Sequence, residues 1–172
     1  MREVLPAANS LAVVVNPTSP TANSQLQKLR AAAETLKLQL RVLSASLENE
    51  FESVFSSTAQ EPAVGLVFTS DPYFAFRSGL LAELAVKYRM PAITQSRDFP
   101  NAGGLMSYGG DFVQSHRRAG IYAGRILSGE KPSDLPVELV TKLEFVVNLK
   151  AAQLLGREIP PSLISGADEV IE

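Results

Sequence analysis

Two short apolar runs, both rich in β-branched residues, constrain the fold of this chain most strongly. Leu11 to Val15 (LAVVV) and Val64 to Phe68 (VGLVF) contain no polar side chain. Such runs are typical of strands that are covered on both faces, as in a parallel sheet. Each run ends in a polar loop that contains proline, and a segment with helical periodicity follows it. The pattern therefore predicts repeated strand–helix units.

The intervening segments complete this alternation. Leu38 to Leu43 alternates apolar and polar residues, which predicts a strand near a sheet edge, and Pro91 opens a fourth strand. Helices are predicted up to Leu36, after a Ser46 cap, and from Pro72 to Tyr88 with Phe76 in the core. The order predicts an α/β fold with three layers, a parallel sheet between helices on both faces.

The character of the chain changes after Tyr108. Asp111 predicts the cap of a helix that ends at Ser128 and Gly129. A long strand-like stretch from residue 137 to 147, a short helix from Asn148 to Leu155 and a tail from Pro160 follow. These elements predict a carboxyl-terminal crossover segment of helix and strands.

The carboxyl ends of the predicted strands carry the best functional clue in the residues themselves. In open parallel α/β sheets, ligands bind beyond the carboxyl ends of the strands. The three loops at these ends, residues 16–19, 70–74 and 96–99, are polar, with aromatic residues nearby. A short strand from Leu105 to Tyr108 follows the glycine turn at residues 103–104. Together these segments predict a rim where a small molecule binds.

Several candidate residues on this rim have two interpretations. Asp71 either contacts a ligand or caps a helix, and a catalytic role is a third alternative. Arg97 either clamps a ligand carboxylate or forms an ion pair with a neighbouring loop. The aromatic residues Phe74, Phe99 and Tyr108 either stack on a flat ligand or cover the edge of the core.

Composition excludes several classes of function. The net charge of −2 gives no basic surface for nucleic acid, and the chain has no cysteine and a single histidine, His116. We find no phosphate-binding glycine loop and no nucleophile–base pair, so neither a cofactor nor catalysis is expected. An α/β enzyme that uses Asp71 or Asp98 remains an alternative. No apolar run approaches the roughly 20 residues of a membrane span.

Several segments, taken in order, carry a resemblance to a known family. They are LAVVVNPTSP, VGLVFTSDPYF, MPAITQSRDFPNAGGLMSYGGD, ILSGEKPSDLPVE and the closing segment from FVVNLKAA to ADEVIE. Together they resemble the carboxyl-terminal half of ABC transporter substrate-binding proteins of the tryptophan/tyrosine type. The resemblance implies a type I periplasmic-binding fold, in which two α/β lobes trap a small solute and pass it to a membrane permease without chemistry.

The resemblance also implies a division of the chain and a set of contacts. Residues 1–110 would form the second lobe, and residues 111–172 would complete the first. The ligand would be a small organic molecule such as an aromatic amino acid. The protein partners would be permease subunits and either a first lobe or a second copy of this chain, in a homodimer for which segment exchange is one arrangement. The expected ligand contacts are Asn16, Thr18, Ser70, Asp71, Phe74, Ser96, Arg97, Phe99 and Tyr108.

The resemblance and the amino terminus point to different compartments. Members of the family carry an export signal and a first lobe, whereas this sequence begins just before the first strand of the second lobe. We therefore expect a periplasmic or cell-envelope protein by resemblance, and a cytoplasmic one if Met1 is the true start. A cytoplasmic ligand-sensing module of the same fold is the alternative function.

Overall fold

The computed structural model describes residues 1–61, 64–138 and 142–172, and a seven-stranded sheet organises them. The order across the sheet is β2-β1-β3-β4-β5-β6-β7. In chain order, the strands are β1 (Ser10–Val15), β2 (Gln39–Ser44), β3 (Gly65–Phe68), β4 (Ala92–Thr94), β5 (Met106–Gly110), β6 (Leu143–Asn148) and β7 (Glu169–Ile171).

Helices connect these strands. They are α1 (Ala22–Leu36), α2 (Glu48–Ala59), α3 (Pro72–Ala75), α4 (Ser78–Lys87), α5 (Asp98–Asn101), α6 (Phe112–Leu127), α7 (Leu149–Leu154) and α8 (Pro161–Ser165), with a 3₁₀ turn at Pro132–Asp134. The first five strands run parallel, β6 is antiparallel to β5, and β7 is parallel to β6. The predicted α/β class and the edge position of β2 are confirmed.

Two apolar clusters form the core. In one, Phe51 and Phe55 of α2 pack with Phe68 and Phe74, and the rings of Phe68 and Phe74 meet edge to face at 5.3 Å between centroids. In the other, the amino-terminal residues Val4, Leu5 and Ala8 pack with α7 against β5 and β6. The two apolar runs, which form β1 and β3, are therefore covered on both faces, as their lack of polar side chains requires.

The sheet continues across the predicted boundary after residue 110. Met106 pairs with Val147 and Gly110 with Leu143, so β6 and β7 extend the sheet built by residues 10–110. By contrast, α6 has no buried residue. The 3₁₀ turn follows α6, and the Tyr122 hydroxyl of this helix donates to the carbonyl of Pro136 at 2.8 Å. β6 and β7 therefore belong to the same sheet as residues 10–110, and the expected division of the chain after residue 110 stays a prediction.

Three local predictions were wrong. The helix predicted from Pro72 to Tyr88 is broken into α3 and α4, and Phe76 at the break is 87% exposed instead of buried in the core. The break changes the helical phase, so Phe76 no longer shares a face with the buried Leu84. The predicted Ser46 cap is also wrong, because the residue at the capping position of α2 is Leu47. The Glu50 carboxylate accepts from the backbone N–H of Leu47 at 2.9 Å and from that of Ser46 at 2.6 Å.

Three other segments differ from the expectation. A short helix, α5, occupies part of the loop predicted after β4, and the predicted tail holds α8 and β7. The strand predicted over residues 137–147 is observed only from Leu143, and its residues 139–141 lie outside the described part of the chain. Short elements such as β7, three residues long, are too brief to show a periodic pattern.

Candidate functional site

Loops after β1 and β3 meet at the carboxyl edge of the sheet, as the sequence predicts. Asn16 follows β1, and its side-chain Nδ2 donates to Asp71 Oδ2, after β3, at 3.4 Å. The Thr18 hydroxyl donates to Asn16 Oδ1 at 2.8 Å, and the Thr18 backbone N–H does so at 3.1 Å. Asn16 and Asp71 are buried and Thr18 is exposed. Asn16 therefore holds the two loops together, whereas Thr18 faces the open side.

Asp71 caps a helix. Its Oδ1 accepts from the backbone N–H of Tyr73 at 2.7 Å, and Pro72 occupies the first position of α3. A carboxylate at this place satisfies a helix N–H that has no partner within the helix. The capping interpretation of Asp71 is confirmed, and both of its oxygens already have partners in the protein.

A chain of polar groups, which the sequence did not reveal, links α1 to the loops after β3 and β4. Gln25 of α1 donates from Nε2 to the carbonyl of Ser70 at 2.8 Å and accepts from the Ser70 N–H at 2.7 Å. The Ser70 hydroxyl then donates to Oε1 of Gln95. Ser70 was among the expected ligand contacts, but Gln25 and Gln95 were not. No spacing in the sequence links the two glutamines, because only the sheet brings their segments together.

Arg97 is paired within the protein. Its guanidinium donates to Glu144 of β6 at 2.9 Å and also to Glu169 of β7. The ion-pair interpretation is therefore the one observed, and the guanidinium is surrounded by carboxylates that already balance its charge. The neighbouring Ser96 is buried, and its hydroxyl donates to Asp98 Oδ2 at 3.0 Å.

The three aromatic candidates separate into core and rim. Phe74 and Phe99 are 2% and 0% exposed and belong to the core cluster of α2 and α4, so they offer no surface to a ligand. Tyr108, in the middle of β5, is 54% exposed, and its ring meets Phe145 edge to face at 6.2 Å between centroids. Tyr108 alone retains the position expected of a residue that stacks on a flat ligand.

Two grooves open at this edge. The first, which we call the α1 groove, has a volume of about 510 Å³ and is lined by residues that include Gln25, Leu29, Val67, Ile93, Gln95 and Tyr108. The second, the α6 groove, has a volume of about 660 Å³ and is lined by residues that include Phe76, Gln95, Arg97, Asp98, Phe112 and His116. Both volumes fall in the range of small-molecule sites.

Asp111 and His116, at the start of α6, make local contacts. The Gln114 N–H, which donates to Asp111 at the start of α6, lowers the pKa of the Asp111 carboxyl. His116 Nδ1 contacts the carbonyl of Phe112 one helical turn earlier at 2.7 Å. In the described part of the chain, no group of three or more acidic or histidine side chains could hold a metal ion. Asp111 and His116 are therefore both in contact with backbone groups of α6.

Comparison with family models identifies the family of the chain. A model described as ABC transporter substrate binding protein matches residues 1–171. The chain belongs to this family. It therefore shares its ancestry with proteins that bind the substrates of ABC transporters, and the resemblance seen in the sequence is confirmed. Comparison with curated protein sequences finds no match.

Solved structures show the same fold. A conserved domain protein from Vibrio cholerae O1 biovar El Tor matches with a TM-score of 0.86 and 24% identity, over 98% of this chain and 57% of its own. An ABC domain from Streptococcus pneumoniae in complex with L-Trp matches with a TM-score of 0.85 and 22% identity, over 99% and 59%. The ligand-free, open structure of a substrate-binding protein with adhesive properties from Clostridium difficile gives 0.69 and 22%, over 98% and 56%.

The chain thus spans a little more than half the length of these solved proteins. No helix in the described ranges is long and apolar enough to cross a membrane.

Proposed function

We propose that this chain is the second-lobe half of a solute-binding protein of an ABC uptake system, and that its carboxyl sheet edge forms one wall of the ligand cleft. The observation that carries the proposal is the meeting of the loops after β1, β3 and β4 beside two grooves at that edge. Ligands of open parallel sheets bind at this edge. The role is binding and delivery, without catalysis.

The ligand-facing residues we propose are the exposed ones. Thr18, Ser70 and Tyr108 present polar or aromatic surface to the open side. Asn16, Asp71 and Ser96 act from behind, since their side chains hold the loops by internal hydrogen bonds. A small organic solute with an aromatic ring and a carboxylate, such as an aromatic amino acid, suits this mixture. One structural relative is described in complex with L-Trp, which supports this class.

The segment from Asp111 to residue 138 is the part that we assign to contacts outside this sheet. Its helix α6 exposes apolar side chains, among them Phe112, Val113 and Leu127, and buries none. A first lobe would cover this face in a two-lobed protein. For the chain of residues 1–172 on its own, we propose that a second copy covers this face, by simple association or by segment exchange.

The second-copy proposal predicts a concentration-dependent dimer. Sedimentation velocity over a dilution series would then show a dimer that dissociates on dilution, and charged substitutions at Val113 and Leu127 would shift the protein to the monomer. A single monomeric species at every concentration would contradict the dimer.

We further propose a periplasmic or cell-envelope location, which follows from the transport role.

A thermal-shift screen tests the binding role. The chain alone, and a longer protein in which a first lobe precedes it, would be heated with each amino acid and with small aromatic acids. A ligand at 100 times its dissociation constant stabilises the folded state by about 2.7 kcal/mol. We expect one ligand class to raise the melting temperature of the longer protein by several degrees, and that of this chain less, because one wall buries less of the ligand.

The outcome distinguishes the alternatives. Equal stabilisation of both proteins would mean that this chain holds a complete site and would favour the sensing module. If no solute of these classes stabilises either protein, the transport proposal fails for small amino and aromatic acids. Turnover that is lost in Asp71→Asn, in a variant that remains folded, would revive an enzymatic role.

A further inference from the structure

We propose that Gln95 is a ligand-contacting residue of this wall, and that its carboxamide nitrogen donates to a carboxylate oxygen of the solute. The proposal rests on the binding function proposed above and deepens it by naming the group that recognises the acid. Gln95 directly follows β4 and lines both the α1 groove and the α6 groove. A solute in either groove therefore lies beside Gln95.

The backbone of Gln95 is held in place by its neighbour strand. A Cβ added to Gly109 of β5 would lie 2.1 Å from the Gln95 carbonyl oxygen, so β5 approaches the end of β4 as closely as glycine allows. Because not even a Cβ would fit between Gly109 and this carbonyl group, the Gln95 main chain has little room to move toward β5. The side chain thus starts from a fixed point at the junction of the two grooves.

The carboxamide of Gln95 is oriented by hydrogen bonds. Its Oε1 accepts from the Ser70 hydroxyl, and Ser70 is itself clamped at N–H and carbonyl by Gln25. Gln25 also donates to the Thr21 hydroxyl at 2.8 Å, at the start of α1. Because the oxygen of the carboxamide is bound to Ser70, the rotation of the group is restricted and Nε2 keeps two protons that this bond does not use.

That nitrogen is available to a ligand. Across residues 1–61, 64–138 and 142–172, Gln95 Nε2 makes no hydrogen bond, and no buried side-chain nitrogen or oxygen lacks a partner. The nitrogen therefore faces solvent. An oriented donor that keeps its protons free in the unliganded protein is suited to a carboxylate oxygen, because the ligand displaces water without breaking a protein contact.

The charged alternative on the same loop is already engaged. Arg97 donates to Glu144 and Glu169, so a ligand carboxylate there would compete with two carboxylates. A neutral donor avoids this competition. The solute class that fits is an aromatic amino acid whose carboxylate lies at Gln95 and whose ring lies on an apolar groove wall.

A matched pair of ligands and a near-isosteric substitution test the proposal. L-Phenylalanine and L-phenylalaninol share ring and ammonium and differ in the carboxylate. Each would be titrated into ¹⁵N-labelled chain while the side-chain amide signals of Gln95 are followed by NMR, assigned by their absence in Gln95→Glu. We expect these signals to shift with L-phenylalanine in a saturable way, and to shift much less with L-phenylalaninol.

The Gln95→Glu substitution keeps the acceptor for Ser70 but replaces the donor by a negative charge. We expect about a tenfold to hundredfold loss of affinity for L-phenylalanine, and a smaller loss or a gain for L-phenylalaninol. Ser70→Ala frees the carboxamide to rotate and should cost about threefold. Gln153→Glu on the exposed face of α7 adds the same charge far from the edge and should leave both affinities unchanged.

The failures of the two proposals are distinguishable. If L-phenylalanine binds at the sheet edge and Gln95→Glu retains its affinity, the role of Gln95 is wrong and the binding function stands. If neither ligand perturbs any residue of the edge at millimolar concentration, while the thermal-shift screen also finds no ligand, both are wrong. A urea unfolding curve for each variant separates lost contacts from lost folding.

Discussion

Substitution of Gly109 by alanine is expected to destabilise the fold through one backbone contact. An added Cβ would lie 2.1 Å from the Gln95 carbonyl oxygen and 2.9 Å from its carbonyl carbon. Ordinary contact requires a separation about 1 Å greater. A flexible side chain could rotate away, but a backbone carbonyl at the end of β4 cannot. Either β5 or the loop after β4 must therefore move.

The magnitude follows from what such a movement disturbs. Ile93 and Thr94 of β4 pair with Met106 and Ser107 of β5, directly before the contact. Overpacking in a well-ordered core costs about 1–3 kcal/mol, and a clash against backbone belongs at the upper end of this range. For a chain of this size, about 3 kcal/mol corresponds to a fall of roughly 6–12 °C in melting temperature.

Urea unfolding followed by circular dichroism measures this cost, and Gly79→Ala is the matched control. An added Cβ at Gly79, in α4, meets no atom within 4 Å, so alanine there should be neutral or stabilising by up to about 1 kcal/mol. The reasoning is refuted if Gly109→Ala unfolds at the same urea concentration as the parent protein, or if both alanine variants lose stability equally.

Three further substitutions probe other contacts. Asn148→Ala removes two buried hydrogen bonds at the start of α7 and should cost about 2–3 kcal/mol in the free energy of unfolding, measured in urea with Asn148→Asp retaining the cap as the control. Arg97→Met leaves Glu144 without its partner and should cost about 1–2 kcal/mol at neutral pH, most of it recovered when Glu144 is also changed to Gln. Because the pKa of Asp111 is lowered in the folded state, its stabilisation of α6 is present above the ordinary aspartate pKa and is lost as the pH falls through the lowered value. The amide-exchange protection factors of α6, which are corrected for the intrinsic effect of pH, should therefore fall on acidification, and Asp111→Asn should abolish that dependence.

The strands of the core were predictable because their pattern is local and continuous. Leu11 to Val15 and Val64 to Phe68 lie in the sheet as expected, and Gly129, at a φ of 100°, ends the helix that Asp111 caps. Caps and fully buried runs depend on a few neighbouring residues. The sequence therefore predicts them without knowledge of the rest of the fold.

The orientation of the aromatic residues at the strand ends was not predictable from the pattern. Phe74 and Phe99 lie in α3 and α5, which are four residues each and show no helical period. Both rings turn into the core, whereas Phe76, one residue after the end of α3, turns outward. Burial at these positions depends on the break between two helices, which tertiary packing decides.

The polar links at the edge depend even more on the assembled sheet. Gln25 and Ser70 are 45 residues apart, and Ser70 and Gln95 are 25 apart. Gln95 lies in a segment that carries the family resemblance and Gln25 does not, and no spacing in the sequence links the two. Their relation arises only when β3 lies beside β1 and β4.

The distribution of charge at this edge determines which kind of recognition it can support. Two of the charged side chains at this edge are engaged: Arg97 with two glutamates, and Asp71 with Asn16 and a helix N–H. Gln95 Nε2 and the exposed Tyr108 are neutral groups at this edge, and Lys28 is an exposed cation that lines the α1 groove. Recognition by neutral hydrogen-bonding groups depends on their positions rather than on long-range attraction. The contacts that fix those positions, from Gln25 on one side and Gly109 on the other, therefore determine specificity as directly as the groups that touch the solute.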